Sequence, residues 1–297
     1  MGKAERPQFA PGWYPDISNE DYHASTGFSS SQIKTLIEHT PAHLKQSFID
    51  ERTETDNMLL GTLTHTLVLE PEKYDSEFVI APDVNKRTKD GRAEWAAFEA
   101  KCQGQGLTPI TESMLKAAMA MAESVKAHPM AGALLSDIIP ESSVYWWYDC
   151  MDPDDDDDYS LMLKVRPDAL SRAYPAIIDL KTTRDGSYTG FIKSIQNFYY
   201  HVSAAMYLEG VNQCKPLLED IGHFAYTKFI FVCVESFPPY LTSVYELSPE
   251  YLDLGKTIYR RSLRILQHVV STGEWDGYPG EIRLIEPPSW ANRSFIV

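Results

Sequence analysis

The spacing of apolar residues predicts helices in the first part of the chain. Apolar positions recur with a helical period through residues 29–50, where Pro41 interrupts the pattern, and again through residues 57–70. Two later stretches, residues 92–102 and 111–127, carry Ala, Met and Phe at the same spacing. We expect these last two helices to form an insertion that precedes a sheet.

The middle of the chain changes to short apolar runs of strand length, bounded by turn residues. Strands are predicted at residues 144–150, 160–170 and 176–182. The remaining predicted elements are a helix over 188–209, a buried strand over 223–235, a strand over 241–247, a helix over 249–271 and an extended tail over 275–297. The order of elements predicts an α/β fold, which we interpret as one decorated domain (1–297) with a core at about 29–235.

Composition limits the class of protein. With 43% apolar and 12% aromatic residues among 297, the chain can bury a large core. No apolar run approaches the roughly 18 residues of a membrane span, and no apolar block follows the charged residues 1–9 as it would in a signal peptide. The four cysteines form no C-x-x-C pair, which argues against a zinc ribbon or a disulfide framework. We therefore expect a cytoplasmic protein with no membrane partner.

The net charge of −15 is unusual for a protein that binds nucleic acid, because Lys and Arg normally neutralise the phosphates. Asp152 and Asp154 to Asp158 supply six of these charges between two predicted strand ends. Repulsion among them favours a solvated hairpin loop. A Ca²⁺ loop is the alternative, although the run lacks the glycine and closing glutamate of an EF-hand. An acidic exterior is compatible with DNA held in a local basic channel.

The segment with the clearest chemistry is Arg166-Pro167-Asp168, followed eleven residues later by Asp179-Leu180-Lys181. Alternate residues of a strand share a face, so Asp179 and Lys181 project together while Ile178 and Leu180 pack beneath. A hairpin through residues 171–175 would bring Asp168 to the same end of the sheet. Two carboxylates can hold Mg²⁺, and the lysine can orient a water or stabilise charge on a phosphate. This layout is that of a metal-dependent nuclease site.

An Asp-x-Lys pattern alone is common and usually lies on a solvated strand edge. Here apolar residues alternate with Asp179 and Lys181, and charges in a core strand are costly unless they are paired, metal-bound or functional. The surroundings therefore favour the functional interpretation.

Four motifs, in order, carry a family resemblance: Gly61-x-x-x-His65, Arg166-Pro167-Asp168, Asp179-Leu180-Lys181-Thr182-Thr183 and Gln196-x-x-x-Tyr200. Over about residues 29–235 the chain resembles the PD-(D/E)XK nuclease superfamily in its RecB-like branch, and within that branch the RecE-type phage exonuclease, exonuclease VIII. The predicted order of helix, three strands, helix and strand is also the core of that superfamily.

The resemblance implies a role for each matching residue. It implies that Asp168 and Asp179 bind the metal, that His65 joins the metal site and that Lys181 is catalytic. Gln196 and Tyr200 resemble the helix motif that supports the site and the DNA end.

The spacing of these motif residues also has physical reasons. Gly61 and His65 share a helix face, where the glycine permits close packing and a neutral imidazole can act as a ligand. Gln196 and Tyr200 are i,i+4 neighbours on the helix predicted over residues 188–209, and Tyr199 would point about 100° away. Taken singly, each pattern is typical of an ordinary packed helix. Their occurrence together favours a site.

Glu141 precedes the aromatic strand and is a secondary candidate for a metal ligand, since acidic residues at strand starts usually face solvent. Four basic residues flank the motifs and either contact phosphates, which gives affinity without sequence readout, or simply solubilise the sheet edges. They are Lys164, Arg166, Arg184 and Lys193.

Some RecB-like nucleases hold an iron–sulfur cluster with four cysteines, one of them directly before a proline in the first helical region. In this chain Thr40 stands before Pro41. No iron–sulfur cluster is expected.

These features predict a nuclease that hydrolyses DNA with Mg²⁺ or Mn²⁺. The resemblance implies a double-strand exonuclease that runs 5′ to 3′ from linear duplex ends and leaves a 3′ single strand for an annealing protein in recombination. It also implies a ring of three or four subunits. Two alternatives stay open: a restriction- or repair-type endonuclease, since the core motifs do not encode exo or endo action, and a catalytically silent DNA-binding or assembly module. The intact Asp168, Asp179 and Lys181 argue against the silent module.

Overall fold

The computed structural model describes residues 8–50, 55–150, 159–223 and 225–288. The acidic run predicted as a solvated loop and residues 289–297 of the predicted tail lie outside these ranges. None of the helices in the described ranges combines the length and the apolarity that crossing a bilayer requires.

The helices are numbered in chain order. They are α1 (Asn19–Ala24), α2 (Ser30–Glu38), α3 (Pro41–Ser47), α4 (Asp56–Leu69), α5 (Tyr74–Glu77), α6 (Lys89–Gln105), α7 (Glu112–Ala127), α8 (Pro129–Leu134), α9 (Tyr188–Asn197), α10 (Tyr200–Gln213), α11 (Lys215–Ile221) and α12 (Pro249–Thr272). The strands are β1 (Gly12–Tyr14), β2 (Phe78–Ile80), β3 (Thr108–Ile110), β4 (Ile138–Pro140), β5 (Ser143–Cys150), β6 (Tyr159–Val165), β7 (Ala169–Ser171), β8 (Ala176–Thr183), β9 (Lys228–Glu235) and β10 (Thr242–Glu246).

Local capping explains where the first long helices begin. Gln32 Oε1 accepts a hydrogen bond from the backbone N–H of Ser29 at 2.8 Å, which closes the first turn of α2. Pro41 occupies the first position of α3, so the helical pattern predicted over residues 29–50 folds as two helices. Thr55 caps α4 by accepting from the N–H of Met58.

The strands form a three-stranded sheet in the order β1-β5-β6, a five-stranded sheet in the order β10-β9-β8-β7-β4, and a short parallel pair, β2-β3. Within the five-stranded sheet β8 and β9 are parallel, and their crossover connection contains α9, α10 and α11. The other pairings of that sheet are antiparallel. This mixed α/β architecture confirms the predicted fold class.

The five-stranded sheet is covered on both faces. Ile177, Phe229 and Phe231 belong to an apolar cluster that includes residues of α2, α10 and α12. Ile178 and Leu180 belong to a second cluster with residues of α7 and α8. The alternation along β8 therefore follows the prediction, with Asp179 and Lys181 on the face that carries Ile177.

The predicted strand over residues 160–170 is wrong in one respect, because it divides into two strands of different sheets. β6 ends at Val165 in the three-stranded sheet, and β7 begins at Ala169 in the five-stranded sheet. The chain also passes between the sheets from β4 to β5, through residues 141–142. We call the place where the two sheets diverge the fork, defined by residues 141–142 and 166–168.

The predicted helix over residues 188–209 is wrong as a single element. It breaks between α9 and α10 at Phe198 and Tyr199, and Tyr199 takes a left-handed backbone conformation with φ of 51°. A helix cannot continue through that conformation. Gln196 and Tyr200 are therefore not i,i+4 neighbours on one helix.

Candidate metal centre

The fork places two acidic residues side by side. Glu141 directly follows β4, Asp168 directly precedes β7, and the backbone N–H of Glu141 donates to the carbonyl of Asp168 at 3.0 Å. Glu141 has a φ of 46°, a left-handed conformation that is uncommon for a residue with a side chain. Such strain persists only where the surrounding structure imposes it, and it is often found at functional sites.

The edge of β8 completes the fork. β7 pairs with β8 only at Ala169 and Leu170, so the backbone N–H of Leu180 has no strand partner on that side. Asp168 Oδ2 accepts from this N–H at 2.8 Å, which satisfies the donor and fixes the carboxylate in the plane of the sheet. The hairpin predicted between the two aspartates is thus present, and it brings them to the same end of the sheet.

Asp179 and Lys181 project from β8 onto this carboxylate. Lys181 Nζ forms an ion pair with Asp179 Oδ1 and lies 3.9 Å from Asp168 Oδ2. Asp179 is buried, whereas Asp168 and Lys181 retain some exposure. One ammonium therefore stands between two carboxylates at an edge that solvent can reach.

His65 enters from α4, on the other face of the sheet. Gly61, one turn earlier, lies so close to β8 that a Cβ there would stand 3.3 Å from Thr182 Oγ1. This close approach lets His65 Nδ1 lie 3.7 Å from Asp168 Oδ2. Ligand atoms of His65, Glu141 and Asp168 all lie within 4.8 Å of one another.

Burial controls protonation in this cluster. It raises the pKa of Glu141 to about 7 and that of Asp179 to about 6, with Asp168 adding to both shifts through its negative charge. Burial also raises the pKa of Asp168 above its usual range. It lowers the pKa of His65 to about 4, assisted by the positive charge of Lys181, so the imidazole is neutral near pH 7. The pKa of Lys181 rises despite burial, because Asp179 and Asp168 stabilise its charge.

The donor set fits a divalent cation. Three carboxylates crowd into a partly buried space, where the ammonium of Lys181 and the guanidinium of Arg166 offset two of the three negative charges. A divalent cation balances the negative charge that is left. Asp179 Oδ1 is buried without a hydrogen bond of good geometry, so it has capacity for a further partner besides Lys181. Carboxylate oxygens suit Mg²⁺ and Mn²⁺, and a neutral imidazole is an acceptable additional ligand.

Two of the basic residues predicted as candidates for phosphate contacts have other partners. The side chain of Arg166 is only 8% exposed. Its guanidinium donates to Glu141 Oε2 at 2.9 Å, to the carbonyl of Ile17 at 2.8 Å and to Ser143 Oγ at 3.0 Å. Lys164 is also buried, and its ammonium donates to the carbonyls of Tyr22 and Ser25. These partners lie within the protein itself, which favours a structural role for both side chains over a phosphate contact. Arg184 and Lys193 are exposed.

The helix break separates the two residues of the Gln-Tyr motif. Tyr200 begins α10, and its ring centroid lies 5.5 Å from Lys181 Nζ, so this side chain forms a wall of the site. Gln196 near the end of α9 is exposed and donates from Nε2 to the hydroxyl of Tyr251 on α12 at 3.2 Å. The structure thus brings Tyr200 to the site and directs Gln196 to another helix.

Two residues that the sequence did not single out also reach this region. The ammonium of Lys34 on α2 lies 5.9 Å from the centroid of the Tyr200 ring. Burial raises the pKa of the Tyr207 hydroxyl on α10, and this hydroxyl is close enough to the two aspartates for their charges to raise its pKa further. A signal for Lys34 existed, because it is a lysine among the apolar positions of an amphipathic helix. Nothing local in the sequence indicates that α2 lies against α10.

A sheet edge that carries an Asp-x-Lys pair, a second aspartate and a glutamate, with helices on both faces, places the protein in the PD-(D/E)XK class of metal-dependent nucleases. The chain belongs to the family DUF3799, a PDDEXK-like domain of unknown function, whose sequence signature matches residues 29–288. The comparison with curated proteins gave no match.

One solved structure shares the fold. A crystal structure of a provisionally named exonuclease from Eubacterium rectale aligns with a TM-score of 0.57 and 13% identity, covering 95% of this chain and 99% of that one. A crystal structure named SSO0001 aligns with a TM-score of 0.30 and 15% identity, covering 70% of this chain and 86% of that one. The first alignment supports a shared fold and nothing further. The TM-score of the second is too low to support a shared fold.

Proposed function

We propose that the protein is an Mg²⁺-dependent exonuclease that digests double-stranded DNA 5′ to 3′ from linear ends and leaves 3′ single strands for recombination. The observation that carries the nuclease activity is the convergence of Asp168, Asp179, Glu141 and Lys181 at one open sheet edge. The direction and the substrate rest on the RecE-like order of the four sequence motifs.

In this proposal Asp168, Asp179, Glu141 and His65 hold the metal. A divalent cation bound there would lower the pKa of a water and offset charge on the scissile phosphate. The reaction adds the oxygen of water to phosphorus as one P–O ester bond breaks, and the departing oxygen takes up a proton. Mn²⁺ substitutes for Mg²⁺ because carboxylate and water oxygens suit both ions.

Lys181 stabilises the negative charge that develops on the phosphate during this reaction. Its ammonium remains charged because Asp179 and Asp168 raise its pKa, and the ion pair with Asp179 fixes its direction. A preorganised cation needs no reorientation as the charge grows, and this is the source of its effect on rate. The ring of Tyr200, with its centroid 5.5 Å from the ammonium, adds a weak cation–π contact.

Exonuclease action and assembly need features beyond the metal centre. A net charge of −15 gives the protein little general attraction for DNA, so we propose a closed ring of three or four subunits that retains the duplex. The C-terminal segment supports a subunit contact, because Ile282, Leu284 and Ile285 are each more than four-fifths exposed. In this proposal a single-strand annealing protein takes up the product.

A comparison of DNA forms tests this function. We expect the purified protein with Mg²⁺ or Mn²⁺ to digest linear duplex, releasing a label from the 5′ end first, and to leave closed circular duplex intact. Sedimentation or light scattering should give three or four subunits. Lys181→Ala, assayed in parallel, controls for contaminating nucleases.

The alternatives give different outcomes in the same assay. Cleavage of closed circles would identify an endonuclease on this fold, and earlier loss of a 3′ label would reverse the direction. Absence of turnover on linear, nicked and circular DNA with either metal would favour the silent DNA-binding module.

A further inference from the structure

Lys34 brings a second positive charge to the site. It lies on α2, and its ammonium donates to the carbonyl of Phe198 at 3.3 Å and lies 5.9 Å from the centroid of the Tyr200 ring. Lys181 approaches the same ring at 5.5 Å. Tyr200 therefore lies within 6 Å of two ammonium groups that come from different elements.

The charge of Lys34 is poorly compensated. No carboxylate forms an ion pair with it within the described ranges, and the carbonyl of Phe198 is a neutral acceptor. Burial lowers the pKa of Lys34 to about 8, and the nearby charge of Lys181 lowers it further against the smaller opposing effects of Asp179 and Glu38. A half-buried cation of this kind is stabilised when an anion arrives.

We propose that Lys34 binds a second, non-scissile phosphate of the substrate strand, next to the phosphate that Lys181 contacts. This inference rests on the proposed nuclease function and assigns a substrate contact within it. Both ammonium groups lie within 6 Å of one ring centroid. Neighbouring phosphates of one strand, which advance by about 3.4 Å along the duplex axis, are the anions that suit two cations so close together.

A structural role is the competing explanation for Lys34. Phe198 ends α9, and a lysine that donates to the last carbonyls of a helix stabilises that end. Lys34→Gln separates the two roles, because glutamine keeps a hydrogen-bond donor while it removes the positive charge. Lys34→Arg keeps both.

The test measures duplex binding in Ca²⁺ over a range of salt concentrations. Loss of one phosphate contact reduces the slope of log binding constant against log salt by about 0.9. We expect this reduction in Lys34→Gln, together with weaker binding irrespective of sequence, and the wild-type slope in Lys34→Arg. In Mg²⁺, KM should rise more than kcat falls.

Lys228→Gln is the matched control. Lys228 is the first residue of β9 and forms an ion pair with Glu246. It lies five residues before Cys233, the strand partner of Lys181. At about 3.3 Å a residue, this places it roughly 16 Å along the sheet from the site. For Lys228→Gln, the slope of log binding constant against log salt should equal that of the wild type. A wild-type slope in Lys34→Gln, with or without a lower melting temperature, would refute the phosphate contact.

A substrate-side experiment covers the case in which Lys34→Gln fails to fold. A methylphosphonate linkage neutralises a single phosphate of the DNA. With the wild-type protein, this substitution at one position beside the scissile bond should weaken binding, whereas the same substitution at other positions should have less effect. The position should lose its effect in Lys34→Gln if that variant folds. Equal effects at all positions would overturn the proposal.

Duplexes with a 5′-phosphate or a 5′-hydroxyl show whether the bound phosphate is terminal or internal. A wild-type preference for the 5′-phosphate that Lys34→Gln abolishes identifies a terminal phosphate. No wild-type preference, together with a reduced salt slope in Lys34→Gln, identifies an internal one. Absence of turnover in the wild type would contradict the nuclease function. Normal turnover, with a wild-type salt slope in Lys34→Gln, would contradict only the phosphate contact of Lys34.

Discussion

The guanidinium of Arg166 donates from Nε to Oε2 of Glu141 at 2.9 Å. The same group donates to the carbonyl of Ile17, so one side chain links a candidate metal ligand to the N-terminal segment that lies against it. Bonds of this charge-assisted kind are short and directional, and they hold the carboxylate in one orientation.

Arg166→Met should therefore weaken metal binding. Glu141 would lose both its orientation and a positive charge that keeps its pKa from rising further, and a partner of a ligand typically affects metal affinity about 10–100-fold. Titration of Mn²⁺ into cleavage assays and by calorimetry would measure the change. Arg166→Lys should retain part of the affinity. Unchanged affinity in Arg166→Met would mean that Glu141 is not a ligand.

Asp179→Asn should abolish cleavage while the protein remains folded. The substitution keeps the size of the side chain but removes the negative charge that orients Lys181 and is proposed to hold the metal. Loss of these functions reduces the rate by several orders of magnitude. Steady-state cleavage of linear duplex, with circular dichroism as the control for folding, would show it. Retained activity would remove Asp179 from the assignment.

Lys181→Ala should reduce the rate about 10²–10³-fold, the usual effect of losing one group that stabilises charge in a transition state. DNA binding in Ca²⁺ should change far less. The comparison of single-turnover rates with binding constants separates the two effects. Equal losses of binding and rate would contradict a transition-state role for this lysine.

Lys164→Met should lower stability without changing the salt dependence of DNA binding. The ammonium of Lys164 donates to the carbonyls of Tyr22 and Ser25, and each buried acceptor left unsatisfied costs about 1–3 kcal/mol. Chemical denaturation measures the loss, with the exposed Lys228→Met for comparison. A reduced salt slope in Lys164→Met would restore the role in phosphate binding that its sequence position suggested.

Gly255→Ala should destabilise the protein through the contact of α12 with α10. A Cβ at Gly255 would overlap the carbonyl oxygen of His201, the residue that follows Tyr200. Overpacking of this kind costs about 1–3 kcal/mol or more. Gly104→Ala in α6, where a Cβ meets nothing within 4 Å, is the matched control and should be neutral or slightly stabilising. Equal melting temperatures of the two variants would contradict the close packing.

The sequence could predict the parts of the site that depend on local periodicity. The alternation along β8 placed Asp179 and Lys181 on one face, and the short turn before β8 required Asp168 to return beside them. The helical spacing from Gly61 to His65 likewise required both residues to face the sheet together. Each of these relationships spans only a few residues, where strand and helix geometry leave little freedom.

Relationships between distant segments could not be predicted in this way. The break at Tyr199 contains neither Pro nor Gly, so the apolar pattern continues through it, and the left-handed residue is imposed by packing of α10. Lys164 follows the alternation of an ordinary strand. It is buried because residues 22–28 run along the free edge of β6, where Phe28 donates to the carbonyl of Met162 at 2.8 Å.

The contact between Gly61 and Thr182 determines how deeply α4 can sit on the sheet. At 3.3 Å from Thr182 Oγ1, a methyl group on residue 61 would lift the helix by a few tenths of an ångström and carry His65 away from Asp168. A smaller residue at position 182 would remove this steric clash and let the helix keep its place on the sheet. In the evolution of the family, the two positions are therefore expected to change together, with an alanine in the helix accompanied by a glycine or an alanine in the strand.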